Sequence, residues 1–153
     1  MNKESIRIAN CSGFYGDKLS VAREMVEGGP IDVLTGDYLA ELTMTILYGQ
    51  KMKRGDDHGY VGTFIKQFRD VAELTEEKGI KIVTNAGGLN PSSMASAIED
   101  IVKELNLDLK VAFIDGDDLM PRINDFFEDG EKLINIDKNN PCLLYTSPSP
   151  RDY

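Results

Sequence analysis

Three short segments of this 153-residue chain carry the residue types that binding chemistry needs. The first is Asn85-Ala-Gly-Gly-Leu-Asn90, followed by Pro91. Pro91 suits the first position of a helix, where a missing N–H costs nothing. It also pushes Asn90 out of the α region and into the conformation of a good N-cap. Gly87 and Gly88 permit positive φ and the close approach of a ligand to the backbone. N–H groups at Ser92 and Ser93 then face the mouth of the turn, where an anion is favoured. The second segment, Cys11-Ser-Gly-Phe-Tyr-Gly-Asp17, offers Ser12, Gly13, Tyr15, Gly16 and Asp17. The third, Thr35-Gly-Asp37, puts a carboxylate where a helix dipole stabilises its charge. Thr35, Gly36, Asn85, Gly87, Gly88 and Asn90 are thus ligand-binding candidates together with Ser12, Gly13, Tyr15 and Gly16. Asp37 and Asp17 are the candidates for orienting a substrate or moving a proton.

Each segment also has a plain structural reading. Asn85–Asn90 is neither G-x-G-x-x-G nor a Walker A loop, and tight strand-to-helix geometry accounts for a Gly-Gly pair as well as a ligand does. Asp17 and Asp37 both read as helix caps. Asp115, Asp117 and Asp118 suit Mg²⁺ with waters, but a capped loop before a helix has the same composition, and no metal centre is assigned. Cys11 sits at a strand's carboxyl end, yet buried cysteine is more often a small hydrophobe than a nucleophile. The single histidine, His58, falls in a polar stretch with Asp56 and Asp57 that reads as a solvated loop.

The elements that position these segments follow from apolar periodicity. A strand is expected over 5–10, then a helix over 18–26 capped by Asp17, with Leu19, Ala22 and Val26 inward. A strand over 31–34 precedes a helix ending near Gln50, with Leu39, Leu42 and Ile46 as its buried stripe. Residues 51–59 read as a surface loop. A helix over 63–78 buries Phe64, Phe68, Val71, Ala72 and Leu74, and Gly79 stops it. The strand 80–84 runs into the first segment and a helix over 91–105. A strand over 109–114, a short helix over 120–127 and a last strand over 133–136 complete the series. Alternation of short apolar strands with helices predicts an α/β fold, a doubly wound and mainly parallel sheet with helices on both faces. Right-handed crossovers then bring the carboxyl ends of the strands to one edge, where α/β sheets hold their ligands.

A net charge of −9 excludes a nucleic-acid surface, which needs a basic patch, and opposes binding to anionic membranes. No apolar run approaches the ~20 residues of a membrane span, and Met1-Asn-Lys-Glu-Ser-Ile-Arg7 lacks the apolar core of a signal peptide. Cys11 and Cys142 form no metal-ligand spacing. The expected location is cytoplasmic.

The C-terminal stretch Cys142-Leu-Leu-Tyr-Thr-Ser-Pro-Ser-Pro-Arg-Asp152 is what a common transposase sequencing adapter encodes in one frame. The expectation is therefore a native α/β domain fragment over 1–141 and an adapter read-through over 142–153. The fold is then truncated and a C-terminal part of the same chain is missing.

Three runs resemble one family: Ile8-Ala-Asn-Cys-Ser-Gly-Phe-Tyr-Gly-Asp17, Gly29-Pro-Ile-Asp-Val-Leu-Thr-Gly-Asp-Tyr-Leu-Ala-Glu41 and Lys81-Ile-Val-Thr-Asn-Ala-Gly-Gly-Leu-Asn-Pro91. Together they look like the N-terminal part of the acyclic terpene utilisation (AtuA-like) family, over about residues 5–140. The resemblance implies a longer protein of bacterial breakdown of acyclic terpenoids such as citronellol and geraniol, through coenzyme A thioesters. It carries no catalytic assignment. The expected partner is a small anionic ligand, a coenzyme A thioester or related carboxylate, with no cofactor identified and a homo-oligomer left open. Two alternatives stand beside it: a non-catalytic ligand-binding or assembly module of a degradative complex, and a Mg-dependent nucleotide-using enzyme built on Asp115 and Asp117.

Overall fold

The computed structural model describes residues 5–122 and 124–125. The chain forms two compact units, Met1–Asp115 and Gly116–Tyr153. The first holds a parallel three-stranded sheet in the order β1-β2-β3: β1 (Ile8–Asn10), β2 (Val33–Gly36) and β3 (Lys81–Thr84). In register, Ala9 lies beside Leu34 and Leu34 beside Ile82. The α/β class holds.

Four helices accompany the sheet: α1 (Val21–Gly28), α2 (Glu41–Arg54), α3 (Gly62–Glu77) and α4 (Pro91–Glu104). Ala22 and Val26 of α1 and Val71 of α3 pack with Cys11, Leu34 and Ile80 in one core. A second core joins Leu47 of α2, Phe64, Phe68 and Ala72 of α3, and Ile98, Ile101 and Val102 of α4. Ion pairs fasten α3 to its neighbours, Arg23–Asp70 at 2.9 Å and Arg69–Glu104 at 2.7 Å. All are exposed, so packing rather than charge holds the helices.

The strand order explains the one-sided packing. Right-handed crossovers through a sheet that grows in one direction lay their helices on the same face. Residues of β1 and β3 on the other face, Ile8 and Val83, are exposed.

Several expectations are corrected. α1 begins at Val21 rather than Lys18, its N-cap position is Ser20, and Asp17 does not cap it. α2 follows Ala40, not Asp37, and it continues through Lys51, Met52, Lys53 and Arg54. Those four are good helix formers, and three are cations suited to a helix C-terminus. Its buried residues are Thr43 and Leu47, whereas Leu42 and Ile46 are exposed, as is Leu19 before α1. No strand forms over 109–114. Leu109 and Val111 pack against the second core, and the Asp108 N–H donates to the Glu76 carboxylate. Leu109 and Val111 are thus partly buried on one side without a ladder, while Phe113 on the same side is exposed. In the second unit Met120–Arg122 form a 3-10 turn. The rest of the helix expected to Phe127 is not described beyond 125, and the strand expected over 133–136 lies outside the described residues, as does the tail.

Asp32 ties the start of β1 to the approach to β2. Its carboxylate accepts from the Arg7 N–H at 2.7 Å and from the guanidinium Nε at 3.0 Å and Nη2 at 2.8 Å. These bonds hold the Asp32 carboxyl down at about 2, below its ordinary 3.8. A depressed acid stabilises the fold above the unfolded value and loses that contribution as pH falls through the folded one. The window here is pH 4 to 2. Titration of the Asp32 carboxyl by NMR is expected to show a midpoint near 2, returning toward 3.8 in Arg7→Ala. An unchanged midpoint in that variant would refute the pairing.

Candidate functional site

The three segments singled out by sequence end β1, β2 and β3, and parallel pairing carries all three to one edge of the sheet. At the end of β1, Ser12 is buried and its hydroxyl donates to the Phe14 carbonyl at 2.9 Å. Asp17 closes this loop on itself, accepting from the Gly13 N–H at 2.6 Å and from Ser12 Oγ at 3.5 Å. Gly16 rests against the Phe14 ring, and the Tyr15 hydroxyl accepts from Gln50 Nε2 of α2 at 3.0 Å. Asp17 is therefore a loop-holding residue whose carboxylate already has internal partners.

Side chains join the ends of β1 and β2 and those of β2 and β3. Thr35 Oγ1 donates to Asn10 Oδ1 at 3.2 Å, and Thr84 Oγ1 donates to the Gly36 carbonyl at 3.0 Å. Asn85 works as a clamp: its Oδ1 accepts from the Tyr38 N–H at 2.8 Å, and its Nδ2 donates to Asp37 Oδ1 at 2.6 Å. Asp37 is exposed at this edge, and among the described residues its second carboxylate oxygen has no partner. The arrangement presents an oriented carboxylate to whatever occupies the edge.

Beneath this rim lies a buried polar chain. Tyr38 donates its hydroxyl to Gln67 Oε1 of α3 at 2.5 Å, and Gln67 Nε2 reaches the Lys18 carbonyl at 3.4 Å. Cys11 Sγ lies 4.0 Å from the Tyr38 hydroxyl. Burial pushes both the Cys11 thiol and the Tyr38 phenol up from their ordinary values, so both stay protonated near neutral pH. Cys11 is thus a buried thiol beside a phenol, not an activated nucleophile. Asn10, Tyr38 and Gln67 were not among the residues expected from sequence. Position 67 shares a helical face with Phe64, Phe68 and Val71, which was the signal that its amide is buried.

The Gly-Gly turn is packed against by other parts of the chain. Asn90 is the N-cap of α4, its Oδ1 accepting from the Ser93 N–H at 3.1 Å, and Pro91 takes the first helical position, as expected. The cap satisfies the Ser93 donor, so of the two N–H groups expected at the turn's mouth it leaves that of Ser92. The segment 55–61 folds over the turn. Asn90 Nδ2 donates to the Asp56 carbonyl at 2.6 Å, Leu89 N–H to the Gly59 carbonyl at 2.8 Å, and Val61 N–H to the Ala86 carbonyl at 2.8 Å. A Cβ on Gly88 would meet Leu47 Cδ1 at 2.4 Å, and one on Gly87 would meet Pro91 Cβ at 2.8 Å. Protein fills the space in front of both glycines.

Among the described residues, no group of three or more His, Cys, Asp or Glu side chains could hold a metal ion. Asp115 and Asp117 are exposed and fall in different compact units. No described helix is long and apolar enough to cross a membrane.

These features define an α/β chain with polar side chains gathered at the carboxyl edge of a parallel sheet. The chain belongs to the acyclic terpene utilisation family AtuA, whose family model matches residues 6–147. Comparison with curated proteins and with solved structures returned no match.

Proposed function

We propose that this chain is part of a cytoplasmic protein of acyclic terpenoid breakdown that binds a coenzyme A thioester, or a related carboxylate, at the carboxyl edge of β1–β3. The observation that carries the reading is Asp37, held by Asn85 with one carboxylate oxygen turned to the edge. An oxygen so placed accepts a hydrogen bond from the ligand or takes a proton from it. The anionic end of the ligand is then seated away from Asp37, toward the N-terminus of α4, whose first turn holds no acid and where the Asn90 cap leaves the Ser92 N–H. Gly87, Gly88 and Asn90 shape the third wall, and Asp17 holds the first. We further propose a doubly wound sheet with helices on both faces, because Ile8 and Val83, on the face that α1 and α3 do not cover, are exposed apolar residues.

Calorimetric titration tests the reading, with the thioester of an acyclic terpenoid acid, the free acid and coenzyme A as separate ligands. Asp37→Ala removes a charge-assisted hydrogen bond of about 1.5–3 kcal/mol, a loss of roughly ten- to hundredfold in affinity. Asp57→Ala, in the loop, is expected to bind as the parent does. Failure of all three ligands to bind, or equal affinity in a folded Asp37→Ala, would overturn it.

A further inference from the structure

We propose, resting on the edge site assigned above, that Phe14 is its specificity-determining residue: the ring packs on the apolar chain of a branched acyclic acyl group, while Asp37 meets a polar group of the same ligand. An exposed aromatic ring is by itself ordinary on a protein surface. Three observations set this one apart. Phe14 is 58% exposed, yet its carbonyl is held twice, by Ser12 Oγ at 2.9 Å and by the Asp17 N–H at 3.3 Å. The Asp17 carboxylate closes the same loop on the Gly13 N–H at 2.6 Å. The ring is seated as well. A Cβ on Gly16 would lie 2.8 Å from Phe14 Cε2, so the ring occupies space that a side chain at 16 would need. Last, the loop is bonded to the edge carboxylate's own residue, because the Asp37 N–H donates to the Ser12 carbonyl at 3.0 Å. Buried Ser12 thus holds Phe14 through its hydroxyl and Asp37 through its carbonyl.

A polar acceptor and a fixed apolar ring, both anchored on one serine, suit a ligand that carries both kinds of group. An apolar chain laid on the ring takes both surfaces out of water. The loop is already clasped, so little ordering cost is added on binding. Acyclic terpenoid acyl groups, the class proposed above, are of this kind: a branched, uncharged hydrocarbon chain ends in one polar carbonyl. Coenzyme A with a short acyl group offers the same polar end without the chain. The ring therefore discriminates between acyl chains and contributes nothing to the part the two ligands share.

Calorimetric titration of the 153-residue chain compares the coenzyme A thioester of geranic acid with acetyl-coenzyme A. Phe14→Ala is expected to bind the first roughly tenfold more weakly than the parent and the second within about twofold of it. Phe14→Leu, which returns apolar area without the ring, should recover most of the loss. Gly16→Ala keeps Phe14 but displaces its ring; the backbone tolerates it, since Gly16 is not among the positive-φ residues. It should weaken the terpenoid thioester in the same sense, and have no further effect when added to Phe14→Ala. Ile6→Ala removes an apolar residue that is 69% exposed ahead of β1, at the opposite edge, and should change neither affinity. Circular dichroism and urea midpoints check the fold of each variant. An equal loss for both thioesters in Phe14→Ala would overturn the proposal, because residue 14 then supports the loop and not the acyl chain. Unchanged terpenoid affinity in Phe14→Ala, with Asp37→Ala still weakening it, would remove the role of Phe14 and leave the edge site standing. Failure of the parent to bind either thioester would remove both.

Discussion

Gly88→Val is expected to destabilise the fold by about 3–5 kcal/mol, seen as a large fall in the midpoint of thermal or urea unfolding. Two costs combine. Gly88 has φ +53, a region costing an L-residue about 1–2 kcal/mol and a β-branched one more. Its Cβ would also lie 2.4 Å from Leu47 Cδ1 and 2.9 Å from the Gly59 carbonyl oxygen. Overpacking of that kind typically costs ~1–3 kcal/mol. Leu47 belongs to the second core and the Gly59 carbonyl holds Leu89, so the clash has no soft direction in which to relax. Against a whole-domain stability of ~5–15 kcal/mol, the variant is expected to be marginal or unfolded at 37 °C. Gly28→Ala is the control: at the end of α1, with nothing within 4 Å of the added carbon, it should be neutral or mildly stabilising. A Gly88→Val protein that melts with the parent would mean that segment 55–61 does not pack on the turn.

The same turn shows how far sequence could be read. Asn90 and Pro91 announce a helix start through local chemistry alone, and both sit where that chemistry places them. The parallel sheet was legible as well, since Ala9, Leu34 and Ile82 belong to short apolar runs separated by helical periods. The glycines were ambiguous because a ligand and a folded-over loop make the same demand on φ. The residues that pack on Gly88, Leu47 and Gly59, are distant in sequence and carry no local signal. Helix α2 misled for a related reason. Leu42 and Ile46 form as good a stripe as Thr43 and Leu47, and periodicity reports that a helix has an apolar face without saying which face the domain covers. The segment 109–114 alternates like a strand, but alternation records one-sided burial, and a strand also needs an edge to pair with. Asp17 and Asp37 looked alike as acids ahead of helices. Their separation into a loop clasp and an edge carboxylate rests on Gly13 in one case and on Asn85 in the other.

The second large effect is expected at Gln67, and it tests whether the buried polar chain supports the rim. In Gln67→Leu the Tyr38 hydroxyl loses its oxygen acceptor and keeps only the weak Cys11 sulfur contact at 4.0 Å, while remaining 1% exposed as a residue. A buried hydroxyl left so poorly paired costs about 1–3 kcal/mol, more than the bond itself contributes. Tyr38→Phe produces the mirror case, leaving Gln67 Oε1 without its donor, and is expected to cost a similar amount. Removing both partners leaves neither orphan, so Tyr38→Phe/Gln67→Leu should be less destabilised than the sum of the singles by ~1 kcal/mol or more. Urea midpoints at constant slope measure the three values. The effect should also reach the rim. Gln67 contacts the Lys18 carbonyl and, through Tyr38, the residue whose N–H holds Asn85. Its loss is therefore expected to shift the Asn85 side-chain amide resonances even where the protein stays folded, while Asn90, capped independently on α4, keeps its own. Additive energies with an unmoved Asn85 signal would show that the chain from α3 to Asp37 is contact without coupling, and that the edge carboxylate is held by Asn85 alone.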